Sequence, residues 1–211
     1  GRMRNRIVLF VFVGMILGAC ATPHYIHLYE SPKSLNFSEG KWLVTNLDSK
    51  IPYMYRESLN RDLLACLQKL GGDSVYSIEN VRFKYINPSK LTFELNPQVL
   101  KIFKESTDFD YVVTATARKV RDEVPDLVYP GNPVYYQKSE SEVSIAVYDV
   151  ADGARIYYQQ VIASVTLDQG DEEVVFARSA GTLLRNAMKK ALKDLKKNAR
   201  VIRKKNNHAT R

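Results

Sequence analysis

Residues 134–149 (VYYQKSESEVSIAVYD) and 155–168 (RIYYQQVIASVTLD) decide the fold. Both alternate in polarity over most of their length, the period of two that marks a strand with distinct faces. Between them Val150-Ala151-Asp152-Gly153 supplies an Asp-Gly turn, so the two stretches are predicted to form a long antiparallel hairpin. Just upstream, residues 110–118 (DYVVTATAR) are apolar and β-branched enough for a central strand buried on both faces. Downstream, Phe176, Ala180, Leu183, Leu184, Ala187, Ala191 and Leu195 recur at helical spacing and predict a closing helix that runs to about Ala199. Asp168, Asp171, Glu172 and Glu173 open that helix. Their spacing does not match a calcium loop, and carboxylates at a helix start are accounted for by capping and the helix dipole.

The earlier chain supplies the other layers. Residues 41–48 (KWLVTNLD) read as a first strand. Leu59, Leu63, Cys66, Leu67 and Leu70 lay one apolar face along a helix over 53–70, stopped by Gly71-Gly72. Cys66 falls on that face, where a buried structural thiol is expected. Residues 75–86 read as extended, with Val81, Phe83 and Tyr85 alternating against polar neighbours, and a short apolar segment follows at 91–95. Asn96-Pro97 pairs an N-cap residue with a first-turn proline, opening a short helix with Val99, Leu100, Ile102 and Phe103. The expected fold class is α/β (α+β): a single domain over 41–199 with a mixed β-sheet, a long antiparallel hairpin and flanking helices.

The chain starts differently. Arg2, Arg4 and Arg6 precede an apolar run over 7–17, which suits a signal peptide and is too short to span a bilayer. Leu17-Gly18-Ala19-Cys20 resembles the bacterial lipobox. The resemblance implies a lipoprotein signal peptide over 1–19, a lipidated Cys20 as first residue of the mature protein, and multiple acyl chains that hold it stably at a membrane. Residues 21–40 show neither period and contain Pro23 and Pro32, so 20–40 reads as a lipidated linker. His24 and His27 lie there without Cys or carboxylate at ligand spacing, and are expected to be solvated rather than metal-bound.

Charge is unevenly distributed. The chain carries 31 Lys+Arg and 23 Asp+Glu, a formal net charge of +8. From Lys189 onward there are 10 basic residues against Asp194 alone, while residues 20–188 hold 18 basic and 22 acidic side chains. The basic character therefore belongs to the end of the chain, and no specific nucleic-acid partner is expected. Lysines near a helix C-terminus favour its dipole. Lys196, Lys197, Arg200, Arg203, Lys204 and Lys205 nevertheless continue the charge into a tail over 200–211, where they are candidates for contact with a polyanion such as anionic headgroups.

The order of elements, with Asp110-Tyr111-Val112-Val113 opening the central strand and the turn at 150–153, resembles the fold shared by CsgG-like curli-secretion lipoproteins, LpoB-like penicillin-binding-protein activators and the N-terminal domain of TolB. The resemblance covers 41–197. Unlike the pore-forming members, this chain has no spare amphipathic segments to insert, since its one hairpin is needed for the sheet, and a secretion channel is not expected.

Catalytic motifs are lacking: there is no Gly-x-Ser-x-Gly, no phosphate-cradling glycine loop and no His-Glu-x-x-His. None of the three histidines falls in the predicted core, and neither cofactor nor metal is expected. Tyrosines are plentiful instead. Tyr135, Tyr136, Tyr157 and Tyr158 place one ring of each pair on either face of the hairpin, and Leu127 and Tyr129 stand in the Pro-rich loop over 122–133. These six are the candidate partner-binding residues. The expected function is a membrane-anchored envelope lipoprotein acting as a non-catalytic protein-binding or assembly module, with an envelope protein or a second copy as partner. The alternative is an envelope enzyme or small-ligand receptor whose site is assembled only in the fold. Ala21 after Cys20, where Asp would favour inner-membrane retention, points to an outer-membrane lipoprotein facing the periplasm.

Overall fold

A computed structural model describes residues 23–30, 35–123, 136–168 and 174–200. They form one mixed α+β domain. In chain order the elements are β1 (His24–Glu30), β2 (Leu35–Asn36), β3 (Trp42–Val44), α1 (Tyr53–Gly71), β4 (Val75–Ser77), α2 (Pro97–Ser106), β5 (Tyr111–Glu123), β6 (Tyr136–Asp149), β7 (Ala154–Asp168), α3 (Val174–Asn198) and β8 (Ala199–Arg200). Six strands make one sheet in the order β1-β7-β6-β5-β3-β4, and β2 pairs with β8 in parallel. Strand β3 is parallel to both β4 and β5, while β5, β6, β7 and β1 are antiparallel in succession.

The hairpin forms as its alternation requires. Asp149 Oδ1 accepts the Asp152 amide at 3.0 Å, and Gly153 takes φ 63°, a left-handed conformation that favours glycine. Because side chains alternate, Val143, Ile145 and Val147 of β6 join Val113, Ala115 and Ala117 of β5 on one face, under α1 and α3. Leu59, Leu63, Cys66 and Leu67 from α1 and Leu183, Leu184, Ala187, Ala191 and Leu195 from α3 complete this main core, as their spacing predicts. The Cys66 thiol is buried there, which pushes its pKa up. Gly181 marks a close approach of α3 to α1: a Cβ at that position would collide with the Tyr55 ring. A smaller core on the other face holds Leu43, Val112, Ala146 and Tyr148 against Leu100 and Phe103 of α2 and the segment around Ile78 and Ile86. Asn96 caps α2 as expected, its Oδ1 accepting the Val99 amide at 2.9 Å.

Three expectations change. The stretch read as a linker contains β1, seven residues paired along β7, and Leu35 and Phe37 behind it are buried in the main core. Phe37 stacks on Trp42 at 4.1 Å between ring centroids, and Trp42 on Tyr111 at 4.2 Å. Residues 75–86 are not extended throughout: only Val75–Ser77 is a strand, because the Ser77 hydroxyl caps a 3₁₀ turn over Ile78–Asn80 by accepting the Glu79 amide at 3.3 Å. Arg200 belongs to β8 and thus to the fold, not to a tail. The signal segment with Cys20 lies outside the described residues, as do Leu127, Tyr129, Tyr135, Arg203, Lys204 and Lys205. Among the described residues no helix is long and apolar enough to cross a membrane.

Candidate functional site: the open edge of the sheet

Strand β1 forms one border of the sheet, with β7 as its only hydrogen-bonded neighbour among the described residues. Its sequence, HYIHLYE, explains its two faces. Tyr25, His27 and Tyr29 pair opposite Ala163, Val161 and Gln159, which face the main core, so these three rings lie on the side of α3. Ile26 and Leu28, opposite Ile162 and Gln160, turn to the other side, where they remain 45% and 46% exposed. Among the described residues the smaller core reaches β7 only at Tyr158, which leaves the end of this face beside β1 to Ile26, Leu28, Ile162 and polar neighbours.

Asp194, near the end of α3, fastens β1. Its Oδ2 accepts the Tyr29 hydroxyl at 2.7 Å and lies 2.8 Å from His27 Nδ1, while its Oδ1 is 3.5 Å from Lys197 Nζ. A carboxylate in the last turns of a helix opposes the dipole. Here the Tyr29 hydroxyl and Lys197 offset that cost, and the side chain is only 14% exposed. Burial, together with the hydrogen bond and the charge of Asp194, pushes the Tyr29 pKa up to about 12. One turn earlier, Lys190 Nζ stands 4.9 Å from the Tyr25 ring centroid, a cation–π contact.

The tyrosine pairs read from the sequence fare differently. Tyr157 is buried in the main core and donates to Gln159 Oε1 at 2.8 Å. Gln159 Nε2 in turn donates to the Ala191 carbonyl at 2.6 Å. Burial of the Tyr157 phenol pushes its pKa up. This ring cannot meet a partner and is corrected to a structural role. Tyr158 is half-buried against Phe93, with the Arg155 guanidinium 4.7 Å from its ring centroid, so it is no free outward ring either. Tyr136 starts β6, but its side chain lies outside the described residues. Lys196 and Lys197 are exposed on the last turn of α3.

The residues that matter at this edge were not singled out from the sequence. The signal was present in the alternation of HYIHLYE, yet both faces of that strand carry apolar or aromatic groups, so no polar face marks the period. His24 and His27, expected in a linker, lie in the sheet instead. Among the described residues no three His, Cys, Asp or Glu side chains converge as a metal site. Surface cavities among them include open ones of about 460 Å³ beside Asp48 and Arg118, about 330 Å³ beside Tyr29 and Asp194, and about 170 Å³ between α1 and the ends of β3 and β4.

Fold and edge together define a single-domain α+β protein with a mixed sheet and one long border strand that has a single neighbour among the described residues. No protein-family model and no curated protein matches the chain. Among solved structures it is similar to the PelC dodecamer from Paraburkholderia phytofirmans, with 14% identity and a TM-score of 0.43 over 84% of this chain and 99% of that one. It is also similar to lipoprotein GNA1162 from Neisseria meningitidis, with 13% identity and a TM-score of 0.37 over 74% of this chain and 99% of that one.

Proposed function

We propose that this protein is a lipid-anchored lipoprotein of the bacterial envelope that works without catalysis, using β1 to take up an extended strand from an envelope protein or from a second copy of itself. The observation that carries this reading is the character of the edge. Proteins ordinarily blunt border strands with lysine, proline, bulges or brevity, because unpaired backbone groups are a template for another chain. Strand β1 is seven residues long, has no internal lysine or proline and keeps Ile26 and Leu28 exposed. An added strand would gain main-chain hydrogen bonds from the edge and side-chain contacts from Ile26 and Leu28.

The lipobox resemblance supports the setting. With Cys20 lipidated, β1 begins four residues later, a reach of at most about 14 Å when fully extended. The domain would then sit against the membrane rather than hang from a long linker, its open edge facing the crowded surface of the outer membrane on the periplasmic side. Past β8, the basic residues Arg203, Lys204 and Lys205, with Lys196 before them, would add attraction to anionic headgroups.

The test compares the full chain with the Ile26→Lys, Leu28→Lys double variant, both purified in detergent. Light scattering on a sizing column reports self-association, and affinity capture from envelope extract reports a partner. The double variant is expected to lose the association that the parent shows, while its stability changes by no more than about 0.5 kcal/mol, as for surface substitutions. Undiminished association would exclude β1 as the contact.

A further inference from the structure

The opposite side of the sheet carries a feature that the edge reading does not use. Because β3 is parallel to both β4 and β5, the chain steps outward from β3 to β4 and then back across β3 to β5. Right-handed crossovers taken in opposite directions put their helices on opposite faces. The packing agrees: Leu59 and Leu63 of α1 share a core with Val44 and Val113, whereas Leu100 and Phe103 of α2 share the other with Leu43 and Val112. The exits from β3 and β4 therefore part to different faces, and a shallow crevice lies between them at the carboxyl ends of these two parallel strands.

The open cavity of about 170 Å³ lies there, lined among others by Asn46, Glu57, Asn60, Arg61, Ser77 and Glu79. Its charged groups are uncommitted. Glu57 and Arg61 are four apart on α1, a spacing that commonly closes an ion pair. Among the described residues, however, neither these two nor Glu79 forms an ion pair or a side-chain hydrogen bond. Asn60 is fixed, its Oδ1 accepting the Leu47 amide at 2.7 Å, which leaves Nδ2 to donate elsewhere. The larger depression beside Asp48 and Arg118 differs: Arg118 is bound to Glu142 at 2.9 Å, and Asp48 Oδ2 accepts the Phe93 amide at 2.8 Å.

Two carboxylates, one guanidinium and one amide donor select by charge. A simple anion would face Glu57 and Glu79, and a diamine would leave Arg61 without a partner. A molecule with two amino groups and one carboxylate answers all three charges, and an open depression of this size suits a compact metabolite. We propose that this crevice binds a free basic amino acid, with Glu57 and Glu79 taking its amino groups and Arg61, aided by Asn60 Nδ2, taking its carboxylate.

Calorimetric titration of the full chain in detergent with L-lysine, the diamine cadaverine and hexanoate tests this assignment. Lysine is expected to bind with a Kd on the order of 0.1–1 mM, as befits a small ligand in an open site, and at least about tenfold more tightly than either probe. Arg61→Gln should reduce lysine to the level of cadaverine, and Glu57→Gln with Glu79→Gln should reduce it to the level of hexanoate, each at unchanged melting temperature. Failure of lysine to bind, lysine no tighter than the single-charge probes, or lysine binding that survives these substitutions would overturn the proposal. Since the crevice opens on the β4 side of the sheet and β1 borders the other side, none of these outcomes bears on the edge.

Discussion

The two borders of the sheet are finished in opposite ways. Strand β4 is three residues long, lies between 3₁₀ turns over Gly72–Ser74 and Ile78–Asn80, and offers an incoming strand little to pair with. Strand β1 is more than twice as long and pairs with β7 in unbroken register over all seven of its residues. It is held to α3 through Asp194 on one face and bare at Ile26 and Leu28 on the other. A border that is fastened from behind and has no second neighbour among the described residues suits the proposed docking of a strand, whereas a blunt border does not. If β1 docks a strand as proposed, its exposed face should contribute little to stability, and this can be checked by asking where stability resides.

The largest stability effect is expected in the shared core. Leu63 is fully buried between α1 and the sheet, and Leu63→Ala should cost about 2–5 kcal/mol in denaturant unfolding through lost burial and the cavity left behind. The lysine double variant at Ile26 and Leu28 should cost a small fraction of that. If the two were equally damaging, the exposed face of β1 would be structural and the contrast between the borders would fail.

A smaller effect should come from the fastening of β1. Replacing Asp194 with Ala removes the acceptor of the Tyr29 hydroxyl, for about 1–3 kcal/mol. The same cluster sets an alkaline limit. Tyr29 in the fold titrates at about 12, above the ordinary phenol value of about 10, so folding favours its protonated form. Its stabilising contribution is complete below about pH 10 and is lost as pH climbs toward 12. Phenolate absorbance of the parent minus that of Tyr29→Phe should therefore rise near pH 12. In the Asp194→Ala background that midpoint should fall part of the way back toward 10, because burial remains. An unshifted midpoint would mean that Asp194 does not hold the strand.

How legible each element was in the sequence depended on how one-sided it is. The hairpin, the central strand, α1, α2 and α3 were all legible because each buries one continuous stripe or a whole strand, and Leu59, Leu63, Leu100, Leu183 and Leu195 are where that logic puts them. Strand β1 escaped because Tyr25 and Tyr29 on one face balance Ile26 and Leu28 on the other, leaving no polar phase to mark the alternation. Residues 78–86 misled for the converse reason. Val81 and Phe83 alternate as in a strand, yet they pack singly onto the smaller core from irregular backbone once Ser77 caps a turn. Asp194 looked like a lone acid in a basic segment, and only the fold brings it to His27 and Tyr29. The crevice was invisible for a related reason: Glu57 and Arg61 lie on one helix, but Asn46 and Glu79 reach them only through the parallel pairing of β3 with β4.

Photocrosslinking inside intact cells addresses the proposed docking role of β1 most directly, with a photoreactive amino acid placed at Leu28 on β1 or, as the matched control, at Tyr76 on β4. Both positions are exposed, at 46% and 38%. A discrete crosslinked species is expected from position 28, to an envelope protein or to a second copy, and none from position 76. No species from position 28, or the same species from both, would contradict it.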